Sequence, residues 1–487
     1  MTSAEASADR SRWQAFFVCV GVAALTILDL SKVNVGLPSI EKSLGAGSTQ
    51  LQLIVAGYAL AFGLALVPAG RLGDIHSRKL MFVIGLSLFT VSSFLCAIAP
   101  SIEMLLIART VQGIAAGIQM PQVIGLVQQL FQGESRARAF GLFGATIGVS
   151  TAFGPTLGGL LIAIGGPTDG WRLLFWMNIP LGLIAIGFAL RLLPKRVPQA
   201  KGHTELDIVG IVLLGLTTLS LMAPFVFTTG ATTDPPERWL ILIGVLVFGA
   251  LFVWWEKAYQ RRGKSPVVHF SLFRLGSYRN GILLSAAYFA GIPAMFLLTT
   301  LFLQQGLGLE PVFAGMVTIP FALSSAVSAW LGGRLVTKYG RRLVVAGLAL
   351  ALVGFVLAAL AVKLAPTEYI PWVMGAALLV AGAGGGFVIS PNQTLTLADI
   401  PVTEGGVAGS IGQLGQRVGT ALGVAAASAA FFAALDRDAA ASVSQVLSYQ
   451  DAFIRGFLVC AGLVVVALVI SLVDLVGRVR AGERITA

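Results

Sequence analysis

Apolar stretches long enough to cross a lipid bilayer recur along almost the whole of this chain, and that recurrence excludes nearly every fold but a helical membrane bundle. A helix needs about 20 apolar residues to cross the hydrocarbon core. Runs of that kind begin near Trp13, Leu51, Leu80, Ile102, Ala139, Leu173, Ile208 and Trp239, and again near Gly281, Val312, Leu343, Tyr369, Gly406 and Phe453. The reading is an all-α integral membrane protein of fourteen transmembrane helices. Composition agrees, because 56% hydrophobic and 11% charged residues would leave a soluble chain of 487 residues without a wettable surface.

The fourteen runs are organised by a repeat. Gly70-Arg71-Leu72-Gly73-Asp74-Ile75-His76-Ser77-Arg78-Lys79 returns in degraded form as Gly333-Arg334-Leu335-Val336-Thr337-Lys338-Tyr339-Gly340-Arg341-Arg342, each copy ending one apolar run and opening the next. A Gly-rich cationic turn present once in each half marks two similar bundles, an architecture of secondary transporters, which move solutes and make no bonds. The longest basic linkers flank a segment from about 201 to 265. The expected division is a six-helix bundle over 1–200, a two-helix segment over 201–265 and a second six-helix bundle over 266–487. The middle helices show no identifiable buried charge and end in Trp254, Trp255 and Tyr259, which fits an interfacial anchor. They are expected to join the bundles, with lateral access or oligomerisation as alternatives.

A net charge of +11 would suggest nucleic acid in a soluble domain, but here the basic residues sit in short gaps between apolar runs. Arg71, Arg78, Lys79, Arg136, Arg138, Arg191, Lys195, Arg196, Lys201, the stretch 257–279 and the stretch 334–342 all fall on one side, together with both termini. The opposite side holds little beyond Lys42, Arg172, Arg238, Lys363 and Arg437, so the positive-inside rule puts both termini in the cytoplasm. Cys19, Cys96 and Cys460 lie inside apolar runs at no metal or disulfide spacing, and are read as lipid-facing or packing residues. His76, His203 and His269 fall in turns or linkers, so no metal is expected. The first run lacks a cleavage site and is read as a retained helix. No Gly-x-x-x-x-Gly-Lys-Ser/Thr motif is present, so no cofactor is expected and an ion gradient must supply the energy. The expected partners are a small amphipathic substrate, protons and membrane lipids, with no nucleic acid. A monomer suffices for such a bundle, and oligomeric state stays open.

Ionisable groups inside a membrane are the sharpest pointers to function, since each costs at least about 2.5 kcal/mol at a helix centre unless paired or wet. The first helix holds Asp29 and Lys32, and a spacing of three puts both on one face, where they can pair. A buried carboxylate there can load a proton on one side and release it on the other. Lys32 either holds Asp29 ionised or breaks from it during the cycle to bind substrate; a static pair near the wet outer end of the helix is the alternative. Arg109, one turn before Gln112, can sense the charge on Asp29 or orient a carbonyl-bearing solute. Arg417 either faces a central cavity or packs and snorkels. One acid against three bases is not an acidic cavity, so neutral, zwitterionic, anionic or weakly cationic amphiphiles are expected over dications. Asn34, Tyr58, Gln119, Gln122, Tyr288 and Gln304 are the candidate polar handles of the cavity wall.

Two further groups read as conformational devices. At Gly70, Asp74, Arg78 and Lys79, the carboxylate can accept from helix N-terminal amides while the cations anchor to phosphates or carboxylates, locking the halves in one access state. The second copy has Thr337 in place of the acid and so keeps its turn without its anion. In the fifth helix Gly144 and Gly148, then Gly154, Pro155, Gly158 and Gly159, permit close backbone approach to a neighbour, with proline as a pliable point. Asp399 and Glu404 either meet the cationic turns as a gate or lie in a solvated loop.

Together the Gly70 to Lys79 turn, Arg109-x-x-Gln112-Gly113 with Gly117, Gly154-Pro155-x-x-Gly158-Gly159, and Trp171-Arg172 followed by Asn178-x-Pro180-x-Gly182 resemble the major facilitator superfamily. Phe296 to Gln304, Ala314-Gly315, Gly382 to Gly386 with Pro391, and Gly419 to Gly423 extend the likeness through the second half. Within it the chain is similar to the fourteen-helix drug:proton antiporters. That resemblance implies a non-enzymatic multidrug exporter in a bacterial inner membrane, working by alternating access. The alternatives are a dedicated exporter of a metabolite, antibiotic or lipid, and an uptake symporter or uniporter of the same fold. It implies that Asp29 occupies the acidic position of the first-helix motif and that the glycine-proline motif belongs to export by antiport. Lys32 departs from the family pattern, as does the order Gln416-Arg417 where Arg-Gln is usual; exchanging neighbours turns the charge by about 100° around the helix.

Overall fold

The computed structural model describes residues 3–194, 206–226, 236–440 and 444–480. Lys195, Arg196, Lys201, His203 and the expected boundary at 200/201 lie outside the described residues. The first half comprises α1 (Ser3–Leu44), α2 (Ser48–Ile75), α3 (Arg78–Ala97), α4 (Ile102–Leu130), α5 (Gly133–Gly165) and α6, which is split at Met177 into Trp171–Trp176 and Asn178–Leu192. Two middle helices follow, α7 (Ile208–Val226) and α8 (Ile243–Arg261). The second half comprises α9 (Gly276–Leu301), α10 (Pro311–Met316 and Ile319–Tyr339), α11 (Arg341–Leu364), α12 (Ile370–Thr396), α13 (Gly405–Ala440) and α14 (Gln445–Arg480).

Thirteen of these passes are long and apolar enough to cross a membrane by composition alone. The exception is α4, which carries Arg109, Gln112, Gln119, Gln122 and Gln128, all buried among neighbouring helices. Its polarity is tolerated because protein, not lipid, surrounds it. The fourteen passes put α1's start and α14's end on one face, here called the terminal face.

The two copies of the Gly/Arg turn solve the same geometry differently. In the first, Ser77 caps α3 by accepting from Leu80 N at 3.3 Å. In the second, Gly340 adopts φ 52°, a conformation only glycine takes without cost, and joins α10 to α11 directly. Each half has its own apolar core, around Phe62, Phe82, Phe89 and Phe140 in one and Met295, Phe355, Phe431 and Phe457 in the other. The first core runs on into Tyr278, Ile282, Leu397 and Ala408 of the second half, so the halves are packed together towards the terminal face. The three cysteines are buried, which makes them packing residues.

The expectation of uncharged middle helices is wrong. Glu256 of α8 is 1% exposed and accepts from Val267 N and Val268 N, each at 3.3 Å. Asp207, 3% exposed, caps α7 through Gly210 N at 2.8 Å and takes the Trp255 indole N–H at 2.8 Å, so Trp255 is committed to the protein while Trp254 faces outward. Arg71 donates to Ser265 of the same connecting loop. These bonds fasten the loop that leads into the second half, and α7 packs on both α2 and α13, with Met222 Sδ lying 3.1 Å from where a Cβ on Gly63 would stand. The pair therefore covers one seam between the halves.

Candidate functional site

Asp29, Lys32 and Arg109 come together inside the first half with no exposed surface to speak of. Arg109 Nη1 donates to Asp29 Oδ2 at 2.7 Å, and Lys32 Nζ lies 3.6 Å from Asp29 Oδ1. The pair expected along α1 is thus the looser contact, and the tight one crosses from α4. Asn178, at the restart of α6, bridges the charges: its Nδ2 donates to Asp29 Oδ1 at 2.7 Å and its Oδ1 accepts from Lys32 Nζ at 2.6 Å. Gln112 Oε1 accepts from Arg109 at 2.7 Å, and Gln112 Nε2 donates to Ser93 Oγ at 2.7 Å. A guanidinium face rests 4.2 Å over the Tyr58 ring. Full burial of one anion and two cations is tolerable only because each finds a charge or a hydrogen-bonding partner. It also disposes of the reading that Asp29 and Lys32 sit at a wet helix end.

Proton chemistry at Asp29 would act on this network through charge. The carboxylate is the network's only anion, so neutralising it leaves Arg109 and Lys32 facing one another with neutral partners alone. At low effective dielectric such a change is large, on the order of several kcal/mol at 4 Å. Two glycines of α5 bear on the same spot. A Cβ on Gly158 would stand 2.9 Å from Lys32 O, and one on Gly154 would overlap Ser31. A Cβ on Gly159 would instead meet Val312 of α10, 3.7 Å from its Cγ2. The glycine-proline motif therefore presses α5 against the charged turn of α1 and, from its other side, meets the second half. Gly141 and Gly333 approach within a Cβ-width nearer the terminal face.

The residues expected to form a lock lie on the terminal face. Asp74 accepts from Gly406 N at 3.1 Å and Val407 N at 2.9 Å, at the start of α13, where backbone N–H groups point outward and favour an anion. Arg78 holds the same carboxylate at 2.8 Å, and reaches Gly125 O at 2.6 Å and Val402 O at 2.5 Å. Gly70 admits α13, since a Cβ there would stand 2.7 Å from Gly406 O. Arg136 adds a bond to Leu397 O at 3.5 Å. Lys79 is different: it caps the end of α6 through Leu190 O at 2.7 Å and Leu193 O at 2.9 Å, and so braces one half without joining two. Asp399 accepts from Ser277 at 2.7 Å within its own half; of the two acids of this loop, Glu404 is the one that acts on the cationic turn, through its charge on Arg71, and the loop adds backbone groups.

The second copy of the turn does have an anion, contrary to expectation. Arg341 pairs with Asp474 of α14 at 2.6 Å and donates to Asn392 Oδ1 at 2.5 Å, while Asn280 Nδ2 donates to Asp474 at 2.7 Å. The acid lost at Thr337 is replaced from another helix, and the pair is almost wholly buried.

Residues 19–424 match the family model described as Major Facilitator Superfamily. The chain belongs to that superfamily. It is a membrane transporter, and its relatives include drug- and antibiotic-resistance members. It is 35% identical over 438 residues to the "Probable actinorhodin transporter" of Streptomyces coelicolor, covering 89% of this chain and 74% of that protein. It is 31% identical to the "Puromycin resistance protein pur8" of Streptomyces alboniger, covering 86% and 81%. Among solved structures, the human organic anion transporter MFSD10 (TETRAN) shares the fold, with a TM-score of 0.66, 16% identity, and coverage of 94% of this chain and 99% of that one.

Within this superfamily member the expected cavity residues scatter. Gln119 Nε2 donates to Thr26 at 2.6 Å and Gln122 Nε2 to Ala69 O at 2.8 Å, so both are helix braces inside the first half. Tyr58 belongs to the charged network, Tyr288 is buried beside Gly385, and Gln304 sits in a π-turn, Phe302–Gly306, at the far end of α9. Asn34 is exposed on α1. Arg417 lies between the halves, 4.5 Å over the Phe62 ring of α2. Sequence reasoning misses Asn178 and Ser93 as site residues, although the Asn-x-Pro-x-Gly pattern around Asn178 carries part of the family resemblance. An uncharged residue in an apolar run gives little signal by itself.

Proposed function

We propose that this protein is a proton-coupled antiporter that exports small amphipathic compounds across a bacterial cytoplasmic membrane by alternating access. The observation that carries the reading is the burial of Asp29 as the sole anion between Arg109, Lys32 and Asn178. Protonation of Asp29 frees Arg109 to turn to Gln112 and to Ile54 O, which it already reaches at 2.7 and 3.4 Å. Lys32 stays on Asn178. The altered charge pushes α1 against the glycine face of α5, and α5 passes the movement to α10. Release of the Asp74 and Arg78 lock from α13 then opens the terminal face. The resistance and antibiotic-transport names of the relatives support export as the direction and drug-like compounds as the cargo.

The test of direction is an imposed proton gradient in everted membrane vesicles, where the former cytoplasmic face is outside. Acidifying the lumen should drive an aromatic amphiphile into the vesicle as protons leave; a symporter would instead require protons to move in with the compound, and the opposite gradient. Accumulation driven only by the opposite gradient would end the antiport reading.

A further inference from the structure

Every cation buried in the first half's network or at the second turn has a carboxylate: Arg109 and Lys32 have Asp29, and Arg341 has Asp474. Arg417 has none. Among the described residues it makes no hydrogen bond or ion pair; its guanidinium lies over the Phe62 ring, with Tyr58 near enough to act on it through charge. It lies twelve residues, about 18 Å along the axis, inside α13, one of the passes long and apolar enough to cross a membrane. An arginine at that depth is retained where something offsets its charge.

The surroundings show what that something is. Gln413, one turn before Arg417, is 7% exposed, and its Oε1 has no partner among the described residues. Gln416 Nε2 donates to Ser285 Oγ at 3.1 Å. Gln413, Gln416 and Ser285 line a cavity of about 30 Å³ with Asn392, Gln393 and Thr396, beside the turn of α13 that carries Arg417. On the first-half side stands an aromatic ladder: Phe62 meets Tyr58 edge-on at 6.2 Å, and Tyr58 supports Arg109 at 4.2 Å. An unpaired guanidinium that rests on an aromatic ring, with neutral amides one turn before it and beside it on its own helix, matches a planar carboxylate attached to an aromatic body, with the fork taking both oxygens. A cationic cargo would meet only like charge here.

We infer that Arg417 is the anion-binding residue of the translocation site and that the cargo is an aromatic organic anion. The inference deepens the exporter reading, and rests on it in taking this seam as the path of cargo. The ladder then has the cargo's charge at one end and the Asp29 network at the other.

The test uses 2-naphthoate and the matched neutral 2-naphthamide, titrated against the full-length protein in lipid nanodiscs. Wild type should bind the carboxylate at least about tenfold more tightly than the amide, the margin of one good charge-assisted contact. Arg417→Gln should bring the two within about twofold by weakening the carboxylate alone, since the amide does not use the charge. Arg417→Lys should keep part of the preference, and retained amide binding in each variant reports an intact fold. Equal binding of both probes by wild type, no saturable naphthoate binding at millimolar concentration, or a preference that survives Arg417→Gln would overturn the inference. The proton-carrier reading fails by a different result, gradient-driven transport that persists in Asp29→Asn, so the two stand or fall apart.

Discussion

Replacing Asp74 with Asn should open the terminal face. Asp74 makes two bonds that cross between the halves, to Gly406 N at 3.1 Å and Val407 N at 2.9 Å, and its bonds to Arg78 stay within the first half. Hydrogen bonds to a charged group contribute about 1.5–3 kcal/mol each, and a carboxylate at a helix start gains up to about 2 kcal/mol more. Asparagine keeps one acceptor oxygen but turns an N–H₂ toward the second amide, while Arg78 keeps Val402 O. A net loss of about 2–4 kcal/mol, confined to the joined state, shifts the access equilibrium by about 30- to 700-fold. The assay is a spin-label distance measurement between Arg138→Cys and Arg334→Cys, which line one cleft on the terminal face from opposite halves. The native cysteines are buried and should stay unlabelled. Asp74→Asn should add a longer-distance population; an unchanged distribution would refute the lock.

Asp474→Leu should cost about 3–5 kcal/mol by stranding Arg341, and the double change Arg341→Met with Asp474→Leu should recover most of it. Thermal unfolding in detergent checks both, and a single variant as stable as wild type would mean the pair carries nothing. Gly158→Val should abolish transport with a stability loss of about 1–3 kcal/mol, because even its Cβ would stand 2.9 Å from Lys32 O. Gly159→Ala, whose Cβ would meet Val312 at an ordinary 3.7 Å, should transport normally. Equal efflux rates for these two variants would contradict the placement of α5.

The passes of the fold were legible because lipid imposes length and apolarity on each helix separately, and because a turn such as Gly70 to Lys79 interrupts them visibly. Even α4 was readable, its glutamines diluting a run that is otherwise apolar. Asp29 and Arg109 stood out for the same reason, as charges where charge is costly. What the sequence concealed was partnership across helices. Asp474 lies close to Arg478 at the end of an apolar run and reads as an interfacial residue, whereas it neutralises Arg341. Glu256 sits beside tryptophans and looks like part of a belt, whereas it binds two backbone amides of the next loop. Lys79 shares a motif with Arg78 but points at α6. Asn178, Gln119 and Gln122 are chemically alike in the sequence, and only the packing separates the bridge at Asp29 from the two helix braces.

The account stands on Asp29 as the proton carrier. The direct measurement is cargo-dependent proton movement in proteoliposomes, with wild type and Asp29→Asn reconstituted side by side and naphthoate as the cargo. Wild type should move protons and cargo in opposite directions at a fixed ratio, and Asp29→Asn should equilibrate cargo with no proton movement. Proton-driven transport surviving in Asp29→Asn would contradict the claim and leave Asp29, Lys32 and Arg109 as a structural network.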